Sequence, residues 1–101
     1  MYKRQAVPFA EKANQLLPGR PPLMDTLATA LAANKQLPRA LELQKQAVDR
    51  APDDGSLRMN LAKLYLQADQ KGMARTELEK IERLGRRYPN QDEVGKMLKK
   101  L

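Results

Sequence analysis

Neither cysteine nor histidine occurs anywhere in this chain of 101 residues. Without cysteine there is no disulfide framework and no thiolate metal site. Without histidine the commonest general base and the commonest zinc ligand are both missing. The single serine, Ser56, has no neighbour that could activate its hydroxyl. The five glycines are scattered, so they form no phosphate-cradling loop. Together these absences argue against an enzyme and against any metal or other cofactor. No apolar run approaches the roughly 20 residues that span a bilayer. Lys3 and Arg4 are not followed by an uninterrupted hydrophobic stretch, so no signal peptide is visible.

What the chain does carry is a spacing of 34 residues. Alanine recurs at Ala6, Ala40 and Ala74, and a second series runs Ala13, Ala47 and Ile81. Pro18 is echoed by Pro52, Leu27 by Leu61, and Ala28 by Ala62. Periods of about 20–50 residues belong to solenoid arrays, in which each unit buries its apolar face only against its neighbours. Such arrays present surfaces to partners.

The hydrophobic pattern is helical throughout, and an all-α chain of about six helices is expected. Pro8 suits the first turn of a helix carrying Phe9, Ala10, Ala13, Leu16 and Leu17. The run Pro18-Gly19-Arg20-Pro21-Pro22 breaks the chain. A second helix reaches about Ala33, with Asn34 expected to take the left-handed conformation at its end. Pro38 opens a third, whose stripe of Leu37, Ala40, Leu41, Ala47 and Val48 is interrupted by Gln44, where an apolar residue is expected. Asp53-Asp54-Gly55-Ser56 supplies a turn and candidate caps for a fourth helix. The fifth places Ala74, Leu78, Ile81 and Leu84 on one stripe, and late Pro89 makes it about a turn longer than its predecessors. Asn90-Gln91-Asp92-Glu93 has the form of a capping box. The last helix sets Val94, Met97, Leu98 and Leu101 against Lys96, Lys99 and Lys100, as suits a cap over the open end of a solenoid.

This pattern resembles the tetratricopeptide repeat family, whose 34-residue unit is a pair of antiparallel helices with small residues where they cross. The resemblance covers about 85 residues and implies a single domain with an α-solenoid architecture. It divides the chain into a half repeat over 1–20, repeats over 21–54 and 55–88, and a capping helix over 89–101. The family's small crossing residues fall on Ala28 and Ala62, on Ala40 and Ala74, and on Ala47 and, less well, Ile81. Larger packing residues fall on Leu27 with Leu61 and Leu31 with Tyr65. The usual aromatic early in the first helix is replaced by Met24 and Arg58, and the turn glycine by Lys35 and Asp69. The aromatic of the second helix is replaced by Gln44 and Leu78. A narrower likeness joins Leu23-Met24-Asp25-Thr26-Leu27, Leu78 and the terminal Met97-Leu98-Lys99-Lys100-Leu101. It resembles the C-terminal end of long bacterial repeat proteins, some of them in exopolysaccharide and PEP-CTERM systems. That would make the chain a fragment of a longer, exported and periplasmic protein; otherwise a cytoplasmic location is open.

Family geometry implies a concave groove lined by the first helix of each unit. Asp25, Thr29, Ala32 and Ala33 would line it from one unit, and Met59, Asn60, Lys63, Leu66 and Gln67 from the next. Such a groove suits a protein partner offering an extended peptide or a helix, which makes the chain an interaction scaffold. Some family members grip a C-terminal carboxylate with Lys and Asn. Here Asp25 and Thr29 stand at those positions and Asp25 would repel a carboxylate, so no such clamp is expected. The net charge of +7 is uneven, at +2 over residues 1–54 and +5 over 55–101. Its excess gathers at Arg83, Arg86, Arg87, Lys96, Lys99 and Lys100, a basic surface to which an anionic polysaccharide or nucleic acid would be drawn. Tyr88 is the lone aromatic nearby, which weighs against nucleic acid. A third reading is structural. Phe9, Ala10, Ala13 and Leu17 form a half repeat whose apolar face would seek cover by self-association or from an upstream repeat.

Overall fold

Proline and short turns set where the helices of this protein begin and end. The computed structural model describes residues 19–101, so the helix expected from Pro8 and the apolar face of Phe9, Ala10, Ala13 and Leu17 lie outside the described residues. Helix α1 (Pro21–Ala33) starts on two prolines, whose fixed φ is preset for a first helical turn. Helix α2 (Leu37–Arg50) has Pro38 in the same kind of position. Helix α3 (Gly55–Gln67) is capped by Asp54, whose Oδ1 accepts from Leu57 N at 3.2 Å. Helix α4 (Lys71–Leu84) leads into a 3₁₀ turn, Gly85–Arg87, and helix α5 (Gln91–Lys100) follows. Among the described residues the architecture is all-α, two helix hairpins and a terminal helix packed side by side as a solenoid.

The hairpin turns repeat at the same 34-residue step as the alanines. Lys35 and Asp69 both take positive φ, 63° and 59°. The next residue in each turn donates back across it, Gln36 N to Leu31 O and Gln70 N to Tyr65 O, both 2.8 Å. This six-residue closure satisfies carbonyls that a helix end otherwise leaves open. The left-handed position is therefore Lys35, with Asn34 at φ −95°, and not Asn34 as its chemistry suggested. Two further expectations are corrected. Helix α4 has the same 14 residues as α2, and the delay before Pro89 is taken up by the 3₁₀ turn. The capping box before α5 is replaced by a side-chain contact, Asn90 Nδ2 to Glu93 Oε1 at 3.3 Å.

Packing follows the alanine series. Ala28, Ala40, Ala47, Ala62 and Ala74 are wholly buried, where a side chain beyond Cβ would hold the helix axes apart. The core is a chain of three linked clusters. The first joins α1 and α2 to Leu64 of α3 through Leu27, Leu31 and Ala40. The second gathers Met24, Val48, Leu57, Leu61, Tyr65 and Ala74. In the third, Met59, Ala62, Leu78, Ile81 and Val94 tie α5 onto the last hairpin, with Met97, Leu98 and Leu101 half-buried beside them.

Two departures from the family pattern have a structural explanation. Arg58, where the repeat usually has an aromatic, reaches Glu77 Oε1 at 2.8 Å and Pro52 O at 2.8 Å. Both side chains are nearly buried, at 13% and 9% exposure, so the ion pair lies inside the α3–α4 hairpin. Thirty-four residues earlier the same two positions hold Met24 and Leu43, which share one apolar cluster. Gly55 is buried because the Tyr88 ring lies over it, and a Cβ added there would run into ring atom Cδ1 and sit 2.8 Å from Cγ.

Gly55→Ala is expected to lower stability by about 1–2 kcal/mol in urea denaturation, the usual magnitude for overpacking. The loss should vanish in a Tyr88→Ala background, where the added methyl has room. Glu77→Leu alone is expected to cost about 3–5 kcal/mol by stranding a buried guanidinium. The pair Arg58→Met with Glu77→Leu, which copies the first repeat, should be neutral or stabilising in the same assay.

Candidate functional site

Between α1 and α3, the first helices of the two hairpins, lies a cleft of about 290 Å³. Thr29, Ala32 and Ala33 line it from α1, Gln44 from α2, and Asn60, Lys63, Leu64 and Gln67 from α3. This lies just below the range for ligand sites, roughly 300–1,000 Å³. It suits one or two side chains of a longer partner. Ala32 and Ala33 keep their part of the α1 wall low, because neither carries an atom beyond Cβ.

Six of the nine residues assigned to the groove from the sequence meet here: Thr29, Ala32, Ala33, Asn60, Lys63 and Gln67. Asp25 stands beside the cleft, half-buried, and is bonded to two of its lining residues. Met59 is 3% exposed in the third core cluster, and Leu66 packs against the second, so neither faces the cleft. Two lining residues were not assigned to the site by the pattern, Leu64 and Gln44, and Gln44 showed in the sequence only as a gap in an apolar stripe. It is 1% exposed.

The polar groups form a network. Gln44 Nε2 donates to Asp25 Oδ1 at 2.8 Å and to Leu57 O at 3.0 Å, and Asn60 Nδ2 donates to the same Asp25 Oδ1 at 2.9 Å. Both neighbours of Gln44 Nε2 are acceptors, which fixes the orientation of that amide. Its Oε1 is consequently a buried acceptor with no donor. Lys63, at the rim, lies 3.8 Å from Glu93 and has its charge answered there. No basic side chain of the described residues pairs with Asp25.

The 34-residue step shows how unusual this network is. Asp25, Gln44 and Asn60 correspond to Met59, Leu78 and Val94, which are all buried in one apolar cluster. One junction of the solenoid is therefore closed by hydrocarbon, and the equivalent junction is built on a carboxylate and two amides. Met59 was misassigned for the same reason, since α5 brings Val94 over it.

The six basic residues Arg83, Arg86, Arg87, Lys96, Lys99 and Lys100 are all exposed on α4, the 3₁₀ turn and α5. Arg87 Nη1 lies 3.5 Å from Asp53. Tyr88 is turned onto Gly55 and the third core cluster, which removes it as a stacking platform. Burial, then Glu93, raises the pKa of its hydroxyl; burial, then Glu77 and Glu42, does the same at Tyr65. Neither phenol ionises near neutral pH. No helix among the described residues is long and apolar enough to cross a membrane.

An apolar copy of the polar junction, Asp25→Met with Gln44→Leu and Asn60→Val, is expected to raise stability by about 1–3 kcal/mol. Replacing all members of an incompletely satisfied buried network removes desolvation penalties without stranding a partner. Equilibrium urea denaturation of the triple variant beside the parent measures this, and a marked loss of stability would contradict it.

No curated protein matches the chain. A family model does, described as tetratricopeptide repeat and matching residues 31–101, from the end of α1 through α5. With helix hairpins at a 34-residue period, wholly buried alanines at five crossing positions and a family match over most of its length, the chain belongs to the tetratricopeptide repeat family.

Proposed function

We propose that this protein is a non-enzymatic scaffold that binds a peptide or helix segment of a protein partner in the cleft between α1 and α3. The observation that carries this reading is the cleft itself. Thr29, Ala32, Ala33, Asn60, Lys63 and Gln67 come together there from two different hairpins. Repeats of this family stack into solenoids with extended concave binding surfaces, and the inner helices supply them. The wall is low and mixed, with alanine methyls on one side and amide and ammonium groups on the other. That composition fits an extended segment held by main-chain hydrogen bonds with one anchoring side chain.

Selection of random dodecapeptides displayed on phage against the full chain tests the reading. Ala33 is exposed, so Ala33→Arg fills the cleft without disturbing the core. Peptides selected on the parent should lose about tenfold or more in affinity for that variant, a loss of 1.4 kcal/mol or more. Unchanged affinity, with unchanged circular dichroism, would place recognition elsewhere. Met59→Glu is unsuitable for this purpose because it would bury a carboxylate in the third core cluster.

A further inference from the structure

We infer that the anchor of the bound segment is a basic side chain, a lysine or an arginine, received at the Asp25–Gln44–Asn60 network. The inference rests on the cleft being the binding site and adds the chemistry of what it holds. Three observations carry it. Asp25 is a half-buried carboxylate on the inner helix, and its Oδ1 partners are two neutral amides. No arginine or lysine of the described residues answers its charge, although the chain carries a net +7. The one basic residue lining the cleft, Lys63, lies 3.8 Å from Glu93.

Around that carboxylate the network is short of donors. Gln44 Oε1 is buried and accepts from nothing, and Gln44 lines the cleft. The amide nitrogens of Gln44 and Asn60 are turned toward Asp25, so both residues present their donors inward to the carboxylate. A site short of donors and holding an unanswered negative charge is complementary to an ammonium or guanidinium group, which brings several donors and a positive charge. The equivalent junction, with Met59, Leu78 and Val94, shows that this fold closes without any polar group at these positions. The polar set is not required to make the junction. Gln44 and Asn60 act as positioning residues, holding the carboxylate beside the cleft through its Oδ1.

The test titrates the full chain, labelled with ¹⁵N, with the capped tripeptides acetyl-Ala-Lys-Ala-amide and acetyl-Ala-Arg-Ala-amide. The counterparts with norleucine for lysine and citrulline for arginine serve as neutral comparisons. The side-chain amide resonances of Gln44 and Asn60 are the readout, which a purely structural network would not move. Both basic peptides are expected to shift them saturably, with affinity about tenfold or more above the neutral ones, as a charge-assisted hydrogen bond supplies. In Asp25→Asn the new side chain still offers Oδ1 to Gln44 and Asn60, so the network persists while the charge is gone. The basic peptides should then bind no better than norleucine.

Equal shifts from basic and neutral peptides, or no shift from any, would overturn the inference. So would a preference for basic peptides that survives in Asp25→Asn. These results are separable from failure of the cleft reading, because dodecapeptides that lose affinity for Ala33→Arg can do so whether or not they contain basic residues. Peptides that bind the parent and Ala33→Arg alike would remove the cleft reading itself.

Discussion

Everything in this solenoid depends on how closely its helices can approach one another. Ala28, Ala40, Ala47, Ala62 and Ala74 have no exposed surface, and each marks a crossing where a longer side chain would separate two axes. Close crossings let the larger residues between them, Leu27, Leu31, Leu61, Tyr65, Leu78 and Ile81, interlock into three successive clusters. No cluster is confined to one helix, so no helix is stable without its neighbours, the defining economy of a repeat array. Terminal α5 is held by the same rule, through Val94 in the last cluster.

Within that frame the two repeats place their polar groups differently. The first has Met24 and Leu43 where the second has the Arg58–Glu77 ion pair. It has Asp25 and Gln44 where the second has Met59 and Leu78. Each hairpin thus contains one apolar and one polar pair at these four positions, exchanged between the repeats. The ion pair also receives a backbone carbonyl, that of Pro52, and so is well satisfied. The Asp25 network leaves a buried acceptor open. A buried polar set that is fully partnered reads as architecture, and one that is incomplete and lines a cleft reads as a place where something else is to be held.

The cleft gains its character from this asymmetry. Its walls come from residues that any two stacked repeats would bring together, but its polar floor belongs to one junction only. At the other junction the same positions are filled with hydrocarbon and covered by α5. The basic residues of α4, the 3₁₀ turn and α5 lie outside this arrangement, exposed and without an aromatic platform, since Tyr88 is committed to Gly55.

The family resemblance supplied six of the residues that line the cleft; the sequence by itself determined the helical class, the 34-residue repeat, the proline in the first turn of α2 and a turn with candidate caps before α3. These are local or periodic properties. A 3.6-residue stripe, a proline or an alanine recurring at a fixed step keeps its meaning whatever lies across from it. Tertiary structure decided the status of Met59, Gln44 and Arg58, because each depends on a partner distant in the chain. Met59 became core when α5 brought Val94 over it, and Arg58 could replace an aromatic only because Glu77 faces it across the hairpin. Gln44 looked like a flaw in an apolar stripe until Asp25, nineteen residues away, and Leu57 O proved to be its acceptors. Hydrogen bonding and charge pairing are satisfied between elements, and no one-dimensional pattern records which elements meet.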